Sequence, residues 1–377
     1  MSTQSEIPPS TEAPLTEPVE GHASGRDTLR AELATLSTEQ VGDRFPDLDA
    51  LSTRELVGAM NDDNRSVPDA IAVVEPLITE AVDAIVERLR RGGRLIYLGA
   101  GTAGRMGILD ASEAPPTFGT DPGLIVGLIA GGPGAIQQAV EDAEDDDHAG
   151  RADLASLAIT ADDAVVGVSA SGRTPYVLGA LEHARSLGAV TIGLSCNAGS
   201  PLGRDADIGI ETVVGPELLT GSTRLKAGTA QKLVLNMLST ISMVRLGKTY
   251  RNLMVDLRAT NEKLRARSER TVMLATDVDA ATAARTLESV DGWVKAAILV
   301  LVTGLDAGEA VARLRSGDGS LSAAIAAHVP EEAALGTHDL VTGLDAGEAV
   351  ARLRSGDGSL SATIAAHGTT GAADDVH

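Results

Sequence analysis

The sequence predicts an α/β fold, in which helices cover a parallel sheet, followed by a small helical domain. Four runs rich in Val, Ile and Leu barely alternate between apolar and polar residues, as strands buried on both faces do; they span residues 94–99, 124–130, 164–169 and 189–195. Helical patterns lie between these runs, so strand and helix alternate, which favours a doubly wound parallel sheet. Beyond about Ala275 the chain carries short Ala-rich helical patterns without strands.

The spacing of apolar residues predicts the remaining elements in order. Helical patterns cover residues 66–91, 135–143, 174–187 and 222–246, which predicts four helices. The first of these is expected to end at Gly92-Gly93, because glycine favours helix ends. A fifth strand is predicted over residues 208–214.

The charge balance disfavours several classes of partner. Lys and Arg total 31 against 53 Asp and Glu, and this net charge of −22 opposes binding to nucleic acid and to anionic membrane surfaces. One Trp, three Tyr and two Phe are too few for base-stacking platforms. The longest clearly apolar run, residues 296–302, is far shorter than the roughly 20 residues needed to cross a bilayer. We therefore expect neither a nucleic-acid partner nor a membrane partner.

The N-terminal segment differs from the rest of the chain. Residues 1–27 hold four prolines, and five acids against one base, with few large apolar residues, so they are predicted to be a disordered tail. The segment lacks the basic and then apolar order of a signal peptide, and the single Cys196 cannot form an internal disulfide. These features predict a cytoplasmic location.

The C-terminal part contains an internal repeat. Residues 301–328 recur 39 positions later as residues 340–367, and the two copies differ only in Ala324 and Thr363. Two copies are too few for a solenoid, and their near-identity suggests a recent duplication. We expect the first copy to complete the helical domain, and residues 330–377 to form a duplicated appendage that is loosely docked or disordered.

A glycine-rich loop follows the first predicted strand. Residues 99–104 read Gly-Ala-Gly-Thr-Ala-Gly, a spacing that lets a helix N-terminus and its free amides approach a phosphate. A dinucleotide-binding fold would add an acid about 20 residues later for the ribose hydroxyl. The next strand ends in Gly131-Gly132 without one, which argues against a nicotinamide cofactor.

A second loop, residues 169–174, has the same placement after a strand. It reads Ser-Ala-Ser-Gly-Arg-Thr, and its hydroxyls, its permissive Gly172 and the exposed helix amides together resemble an anion cradle suited to a phosphomonoester. The alternative is that Ser171 and Thr174 only cap the following helix. Two such loops after two strands of one sheet favour phosphate binding.

Five stretches closely resemble the N-acetylmuramic acid 6-phosphate etherases. They read RLIYLGAGTAGRMGILDASEAPPTFGTDP (94–122), VVGVSASGRTPYV (165–177), TIGLSCNAGSPL (191–202), GPELLTGSTRLKAGTAQKLVLNMLST (215–240) and NLMVDLRATNEKLRARSER (252–270). The resemblance runs from about residue 51 to residue 328. It implies a sugar isomerase (SIS) domain with N-terminal helices over residues 51–270 and a small helical domain over residues 271–329.

The resemblance also implies an activity. It implies a cytoplasmic homodimer that acts in peptidoglycan recycling. The implied enzyme is a carbon–oxygen lyase, which releases D-lactate from N-acetylmuramic acid 6-phosphate and yields N-acetylglucosamine 6-phosphate. Two departures from the family pattern concern the loops. Ala103 replaces the serine of the usual GTSGR, and Ser169 replaces the first alanine of the usual AASGR.

The implied chemistry needs an acid and a base, and neither a metal nor a cofactor. By resemblance these are the carboxylates of Glu113 and Glu144. Glu113 precedes Pro115-Pro116, which predict a rigid bend near the first loop, although a lone loop Glu ordinarily faces solvent. Glu144 lies in an acidic run, which is ordinarily a solvated helix end. Only the resemblance selects it over Glu141, one turn away.

The implied substrate-binding residues lie in three segments. Related phosphosugar enzymes also contact substrate at the start of the long helix, so the resemblance adds that segment to the two loops. The predicted set is Gly101, Thr102, Ser169, Ser171, Gly172, Thr174, Glu217, Ser222, Thr223 and Lys226. For Ser222 the alternative is a helix N-cap, and Arg173 is equally suited to neutralising a phosphate or pairing with a surface acid.

Two other functions remain open at this point. One is a non-catalytic phosphosugar sensor that regulates a partner, and the other is an aldose–ketose isomerase on the same fold. Glu113 and Glu144 favour the enzyme over the sensor, because a sensor has no use for an acid and a base. Release of D-lactate distinguishes the etherase from both.

Overall fold

A computed structural model of the chain describes residues 27, 30–138, 140, 142–257, 259, 261–317 and 319–328. It divides into two compact units. The first comprises the chain up to Pro115 and Thr120–Ser242, and the second comprises Pro116–Gly119 and the chain from Met243 onward. The predicted tail, apart from Asp27, and the predicted appendage over residues 330–377 lie outside the described residues. The domain limits at residues 51–270 and 271–329 stay predictions.

The first unit is built on a five-stranded parallel sheet with the order β2-β1-β3-β4-β5. Its strands are β1 Leu95–Gly99, β2 Ile125–Ile129, β3 Ala164–Val168, β4 Val190–Ser195 and β5 Ile208–Glu211. All four neighbouring pairs are parallel. Each strand lies within a predicted one, and the predicted α/β fold class is confirmed.

Helices cover both faces of this sheet. Those that include residues of the first unit are α1 Thr53–Asn64, α2 Ser66–Val73, α3 Glu75–Arg90, α4 Gly101–Phe118, α5 Asp147–Ser156, α6 Pro175–Ser186, α7 Pro201–Asp205 and α8 Lys226–Arg245. Ile96 and Val165 are fully buried in one core cluster with Val177 of α6. On the opposite face Tyr97 lies against α8, and its hydroxyl donates to the Leu235 carbonyl at 3.5 Å. Successive side chains of β1 therefore pack against helices on opposite faces of the sheet.

α4 packs unusually close to the sheet. A Cβ atom at Gly104 would lie 2.6 Å from the Gly99 carbonyl oxygen and 2.6 Å from Cγ1 of Ile129. No side chain fits at that separation, because real Cβ contacts are not this short. The third glycine of the first loop therefore has a packing role, whatever it contributes to a ligand site.

Two predicted helices differ from the observed ones. The predicted helix over residues 66–91 is two helices, α2 and α3, which meet at Val74. Pro76 lies in the first turn of α3, where its missing N–H costs nothing, whereas inside one continuous helix its ring would collide with the preceding turn. The helix predicted over residues 222–246 begins four residues later, at Lys226.

The helix predicted over residues 135–143 is wrong. The described part of this segment forms two short 3₁₀ turns, Pro133–Ile136 and Ala143–Asp145. Between them Asp142 has a left-handed backbone conformation, with φ of 60°, which a continuing helix cannot accommodate. The crossover helix is α5, and the carboxylate of Asp146 caps it by accepting from the Ala149 N–H at 2.9 Å.

The second unit is helical, with a small antiparallel ribbon that was not predicted. The ribbon pairs β6 Thr249–Tyr250 with β7 Leu253–Met254. The helices are α9 Glu262–Thr276, α10 Ala280–Ser289, α11 Val294–Thr303, α12 Ala307–Ser316 and α13 Leu321–Ala326. Their buried apolar side chains form one core cluster.

A charged group lies inside this second unit. The carboxylate of Asp256 forms ion pairs with Nζ of Lys295 at 2.6 Å and Nζ of Lys248 at 3.3 Å. It also accepts a hydrogen bond from Nε1 of Trp293 at 3.2 Å. These residues line a cavity of about 1300 Å³. A buried charge is tolerated only when it is paired, and Asp256 supplies that pairing for Lys295, which is 2% exposed.

The amino ends of β1 and β3 are tied by an ion pair between the half-buried Arg94 and the buried Asp163. Oδ1 of Asp163 accepts from the Arg94 backbone N–H at 2.8 Å and from Nε at 3.0 Å, and Oδ2 accepts from Nη2 at 2.9 Å. The backbone N–H of Thr160 also donates to Oδ2 at 2.8 Å. Burial raises the pKa of Asp163, but the hydrogen bonds from Arg94 and Thr160 outweigh burial and hold that pKa below its usual range.

We expect Asp163→Asn to lower the free energy of unfolding at pH 7 by about 2 kcal/mol, the scale of hydrogen bonds to a charged group. Because the folded-state pKa is lowered, the carboxylate's contribution is complete above its unfolded pKa of about 3.9 and disappears as the pH falls through the folded value. The difference between wild type and variant, measured by urea titration, should therefore shrink below about pH 4.

The neighbouring Asp162→Asn variant is the matched control, and it should match wild type throughout. A constant difference between wild type and Asp163→Asn from pH 7 to pH 3 would contradict the role of the charge.

Candidate functional site

The strand order predicts a ligand crevice at the carboxyl ends of the strands, between β1 and β3. The chain leaves β1 for β2 on one side and returns to β3 on the other, so the connections diverge between β1 and β3. Ligands of open α/β sheets bind at such a reversal, beside the carboxyl ends of the strands. Gly99 pairs with Val168 at these ends. The two loops singled out in the sequence therefore begin side by side.

The first loop leads directly into α4. Gly101 opens the helix with φ of 51° and is exposed, and Thr102 is half-buried. A Cβ atom on Gly228 of α8 would lie 3.4 Å from Cγ2 of Thr102, so the start of α8 is adjacent to this loop. Ala103, at the position of the family's serine, is 7% exposed.

The second loop gathers three hydroxyl groups. Oγ of Ser169 lies 2.8 Å from Oγ1 of Thr174 and 3.2 Å from Oγ of Ser171. The backbone N–H of Gly172 donates to Oγ of Ser169 at 3.0 Å, and that of Arg173 donates to Oγ of Ser171 at 3.2 Å. Predicted residues 169, 171 and 174 are thus brought together by local geometry. Ser169, the departure from the family pattern, lies at the centre of the group.

The capping alternative does not describe this loop. Thr174 is the N-cap residue of α6, but its side chain makes no cap hydrogen bond. Its hydroxyl points to Ser169 instead. Gly172, with φ of 68°, allows the turn, because a Cβ atom there would lie 2.4 Å from Cβ of Ser200. The hydroxyls of this loop therefore bond to one another rather than cap the helix, and Ser169 at their centre is 3% exposed.

Asn197, which sequence reasoning missed, supports the second loop from behind. Its Nδ2 donates to the Ala170 carbonyl at 2.9 Å and to Oγ1 of Thr38 at 3.0 Å. Asn197 is 2% exposed and follows β4 in the same way that the loop follows β3. A polar residue just after a predicted strand was the available signal.

The third predicted segment mainly organises the start of α8. Glu217 is 1% exposed, and its two carboxylate oxygens accept from the backbone N–H groups of Lys226 and Ala227, each at 2.9 Å. Burial raises the pKa of Glu217, against the lowering effect of these hydrogen bonds. Nζ of Lys226 contacts Oδ1 of Asp63 on α1 at 2.9 Å. Both predicted residues therefore have structural partners.

Ser222 and Thr223 are half-buried in the turn that precedes α8. The helix begins at Lys226 and its first amides are satisfied by Glu217, so the N-cap interpretation of Ser222 is not what the structure contains. Contact between a ligand and any residue of this segment stays a prediction.

Glu113 lies on α4 and is exposed. The predicted bend at Pro115-Pro116 is wrong, because α4 continues through both prolines to Phe118. Two prolines this close to the end of a helix remove hydrogen bonds from its last turns only, and the earlier turns remain paired. Glu113 is therefore held by a helix rather than by a bend.

Asp110, one turn before Glu113, is a buried acid that sequence reasoning also missed. Its Oδ1 accepts from Nδ2 of Asn236 at 2.6 Å and from Oγ of Ser239 at 3.1 Å, which joins α4 to α8. Burial raises the pKa of Asp110, and those hydrogen bonds oppose the rise. The residue lies in the helical spacing of buried Ala103, Gly107 and Ala114, which was the signal.

Glu144 lies in the 3₁₀ turn Ala143–Asp145 and is exposed. The turn packs against α6, the helix that begins at the second loop. Arg105 of α4 holds the start of this connection, since its guanidinium donates to the carbonyls of Ala135 at 2.7 Å and Ile136 at 2.9 Å. Glu141 lies outside the described residues.

Two other residues considered from the sequence are Arg173 and Cys196. Arg173 pairs with Glu32, a surface acid, and its contact with a phosphate stays a prediction. Cys196 is fully buried, and burial raises the pKa of its thiol to about 12, so it is not suited to act as a nucleophile.

Within the part of the chain that the structure describes, no three His, Cys, Asp or Glu side chains converge as a metal site. No helix in the described ranges has the length and apolar character needed to cross a membrane.

Comparison with known proteins identifies the sheet domain. Residues 77–185 match the model of the glucokinase regulatory protein N-terminal SIS domain, and residues 136–241 match the SIS domain model. Among solved structures, a phosphoheptose isomerase from Francisella tularensis is 20% identical, with a TM-score of 0.42 over 52% of this chain and 100% of its own.

The similarity to curated proteins is much higher. An N-acetylmuramic acid 6-phosphate etherase from Streptomyces avermitilis is 61% identical over 274 residues, which covers 73% of this chain and 88% of the relative. One from Pectobacterium atrosepticum is 58% identical over 269 residues, or 71% and 89% of the two chains. At this identity and coverage, the chain belongs to the N-acetylmuramic acid 6-phosphate etherase family.

Proposed function

We propose that this protein is a carbon–oxygen lyase that cleaves the D-lactyl ether of N-acetylmuramic acid 6-phosphate, giving D-lactate and N-acetylglucosamine 6-phosphate, a step of peptidoglycan recycling. The observation that carries the proposal is the cluster of Ser169, Ser171 and Thr174 at the carboxyl end of β3, beside the helix that holds Glu113. Family membership supports the same activity.

The hydroxyl cluster suits the phosphate of the substrate. The half-buried hydroxyls of Ser171 and Thr174 just before α6 can donate to phosphate oxygens, with the buried Ser169 hydrogen-bonded behind them, and the positive end of the helix dipole favours a dianion there. Gly101, Thr102 and the start of α8 lie next to this loop and supply further contacts to the sugar. No metal or cofactor is needed for these contacts.

The reaction is an elimination followed by a hydration. Opening of the sugar ring gives a C1 aldehyde, which acidifies the C2 proton, and a base removes that proton. The C3–O bond then breaks while an acid protonates the departing lactate oxygen, and water adds to the double bond. We assign the acid to Glu113, because α4 holds it beside the first loop, and assign proton transfer at C2 or at the water to Glu144.

We also propose that the enzyme is a cytoplasmic homodimer. Membership of the etherase family supports this assembly, and the first unit exposes the apolar side chains of Leu109, Val213, Leu219 and Ile241. A chain with a net charge of −22 and one buried cysteine is compatible with a reducing compartment, and it disfavours nucleic acid and anionic membranes as partners.

The phosphate assignment predicts a large effect on binding. Replacing both Ser171 and Thr174 with Ala should raise KM on the order of 100-fold, because hydrogen bonds to a charged group contribute about 1.5 to 3 kcal/mol each. The measurement is D-lactate release at varied substrate concentration. Ser186→Ala, at the other end of α6, is the control and should leave KM unchanged. An unchanged KM in the double variant would move the phosphate site elsewhere, to Ser222 and Thr223.

The two carboxylates are separable by isotope exchange. In deuterated water, Glu113→Gln should release D-lactate about 100-fold to 10,000-fold more slowly, the range of a general acid, yet still exchange the C2 proton. Glu144→Gln should slow the exchange as well. Asp145→Asn, in the same turn as Glu144, is the control and should behave as wild type. More than about a tenth of wild-type D-lactate release by Glu113→Gln would refute the assignment of the acid.

A further inference from the structure

The first copy of the C-terminal repeat is part of the core of the second unit. Residues 304–328 contain α12 and α13, and they pack against α11 and β6, which together we call the repeat socket. Ala310 and Leu321 are fully buried there, Leu314 is 3% exposed and Ala324 is 9% exposed. The copy is therefore held by a specific apolar surface.

Polar contacts also hold the first copy. The buried Nζ of Lys295 in the repeat socket donates to the Gly319 carbonyl at 2.8 Å. Asp306 caps α12 by accepting from the Glu309 N–H at 2.8 Å, and Ser320 caps α13 by accepting from the Ala323 N–H at 3.3 Å. Arg315 and Val311 line the cavity of the second unit. The copy supplies its own helix caps and part of a cavity wall.

All but one of these residues are identical in the second copy. The buried positions correspond to Ala349, Leu353, Leu360 and Thr363, the caps to Asp345 and Ser359, the carbonyl to Gly358, and the cavity residues to Val350 and Arg354. Only Thr363, in place of Ala324, differs. The second copy lies outside the described residues.

We propose that residues 343–367 of the second copy are an alternative occupant of the repeat socket. They exchange there with residues 304–328 of the first copy in the same chain. The exchange requires residues 304–342 to leave as a loop between the end of α11 and the newly docked copy. The entropy of closing such a loop grows only with the logarithm of its length, so a loop of this size is tolerated.

Two features make the first copy the preferred occupant. It follows α11 directly, so docking it closes no additional loop. Ala324 suits its nearly buried site, whereas Thr363 would bring a larger side chain and a hydroxyl that needs a partner. The second copy therefore acts as a spare that docks when the first is damaged or displaced.

Trp293 is the probe for this exchange. It is the single Trp of the chain and lies at the start of α11, where Nε1 donates to Asp256. Its fluorescence reports unfolding of the second unit. The experiment uses the full-length chain in four forms: wild type, Leu314→Asp with Leu321→Asp, Leu353→Asp with Leu360→Asp, and all four substitutions together.

The proposal predicts a strongly non-additive result. Damage to the second copy alone should leave the melting temperature unchanged, because the first copy occupies the socket. Damage to the first copy should leave a folded second unit that melts at least about 5 °C above the quadruple variant. Equal melting of these two variants, or loss of the folded unit in both, would overturn the proposal.

A milder variant and a direct readout sharpen the test. Leu314→Ala should lower the melting temperature less when the second copy is intact than when it carries Leu353→Asp and Leu360→Asp; an equal drop counts against exchange. Adding Thr363→Ala to the variant damaged in the first copy should raise its melting temperature. Trypsin should cleave first at Arg354 in wild type and at Arg315 in the damaged variant, and an unchanged order would also contradict the exchange.

Discussion

The parallel pairing of β1 with β3 is the interaction on which the rest of the site depends. It joins two strands whose connections run in opposite directions along the sheet, so their following loops meet with no other strand between them. Both strands are buried along their whole length. The Arg94–Asp163 pair fixes their amino ends, which leaves the carboxyl ends free to carry loops without loss of register.

Close packing of the helices fixes the positions of the elements beside the loops. α4 can approach β1 because residue 104 has no side chain, and α8 is tied to α4 through Asp110. The start of α8 is in turn fixed by Glu217 and by the pair between Lys226 and Asp63. The elements around the crevice are thus held by contacts that lie behind it, and the hydroxyls of the second loop need only local hydrogen bonds to converge.

The elements that apolar spacing specifies were predictable from the sequence, and those that depend on single residues were less so. The first four strands are nearly continuous apolar runs, and the alternation of strands with helices leaves few possible arrangements. The connection after β2 has a helical apolar pattern over residues 135–143, but the left-handed conformation of Asp142 interrupts it. The prolines after Glu113 were expected to form a bend, but they lie so close to the end of α4 that they remove hydrogen bonds from its last turns only.

The loops of the candidate site were predictable from the sequence pattern, but the acids that take part in a reaction were not identifiable from that pattern. The chain has 53 acids, so residue type alone cannot identify an acid that takes part in a reaction. The structure divides these acids by their surroundings. Asp63, Asp110, Asp163 and Glu217 are buried, and each accepts hydrogen bonds that join two elements or cap a helix. Removing one of them would damage the fold, and its oxygens have little freedom to exchange protons with a substrate.

Glu113 and Glu144 are the opposite case, because both are exposed. α4, which carries Glu113, is tied to α8 through the buried Asp110, whereas the turn that carries Glu144 packs against α6. A proton-transfer group must reach the substrate and must change its charge during turnover, which a carboxylate already engaged by helix amides does at a cost. The same argument lowers Glu217 as a substitute for Glu113, since both of its oxygens cap α8. Burial and hydrogen-bond partners therefore separate the acids that stabilise this fold from the exposed pair to which we assign proton transfer in the proposed reaction.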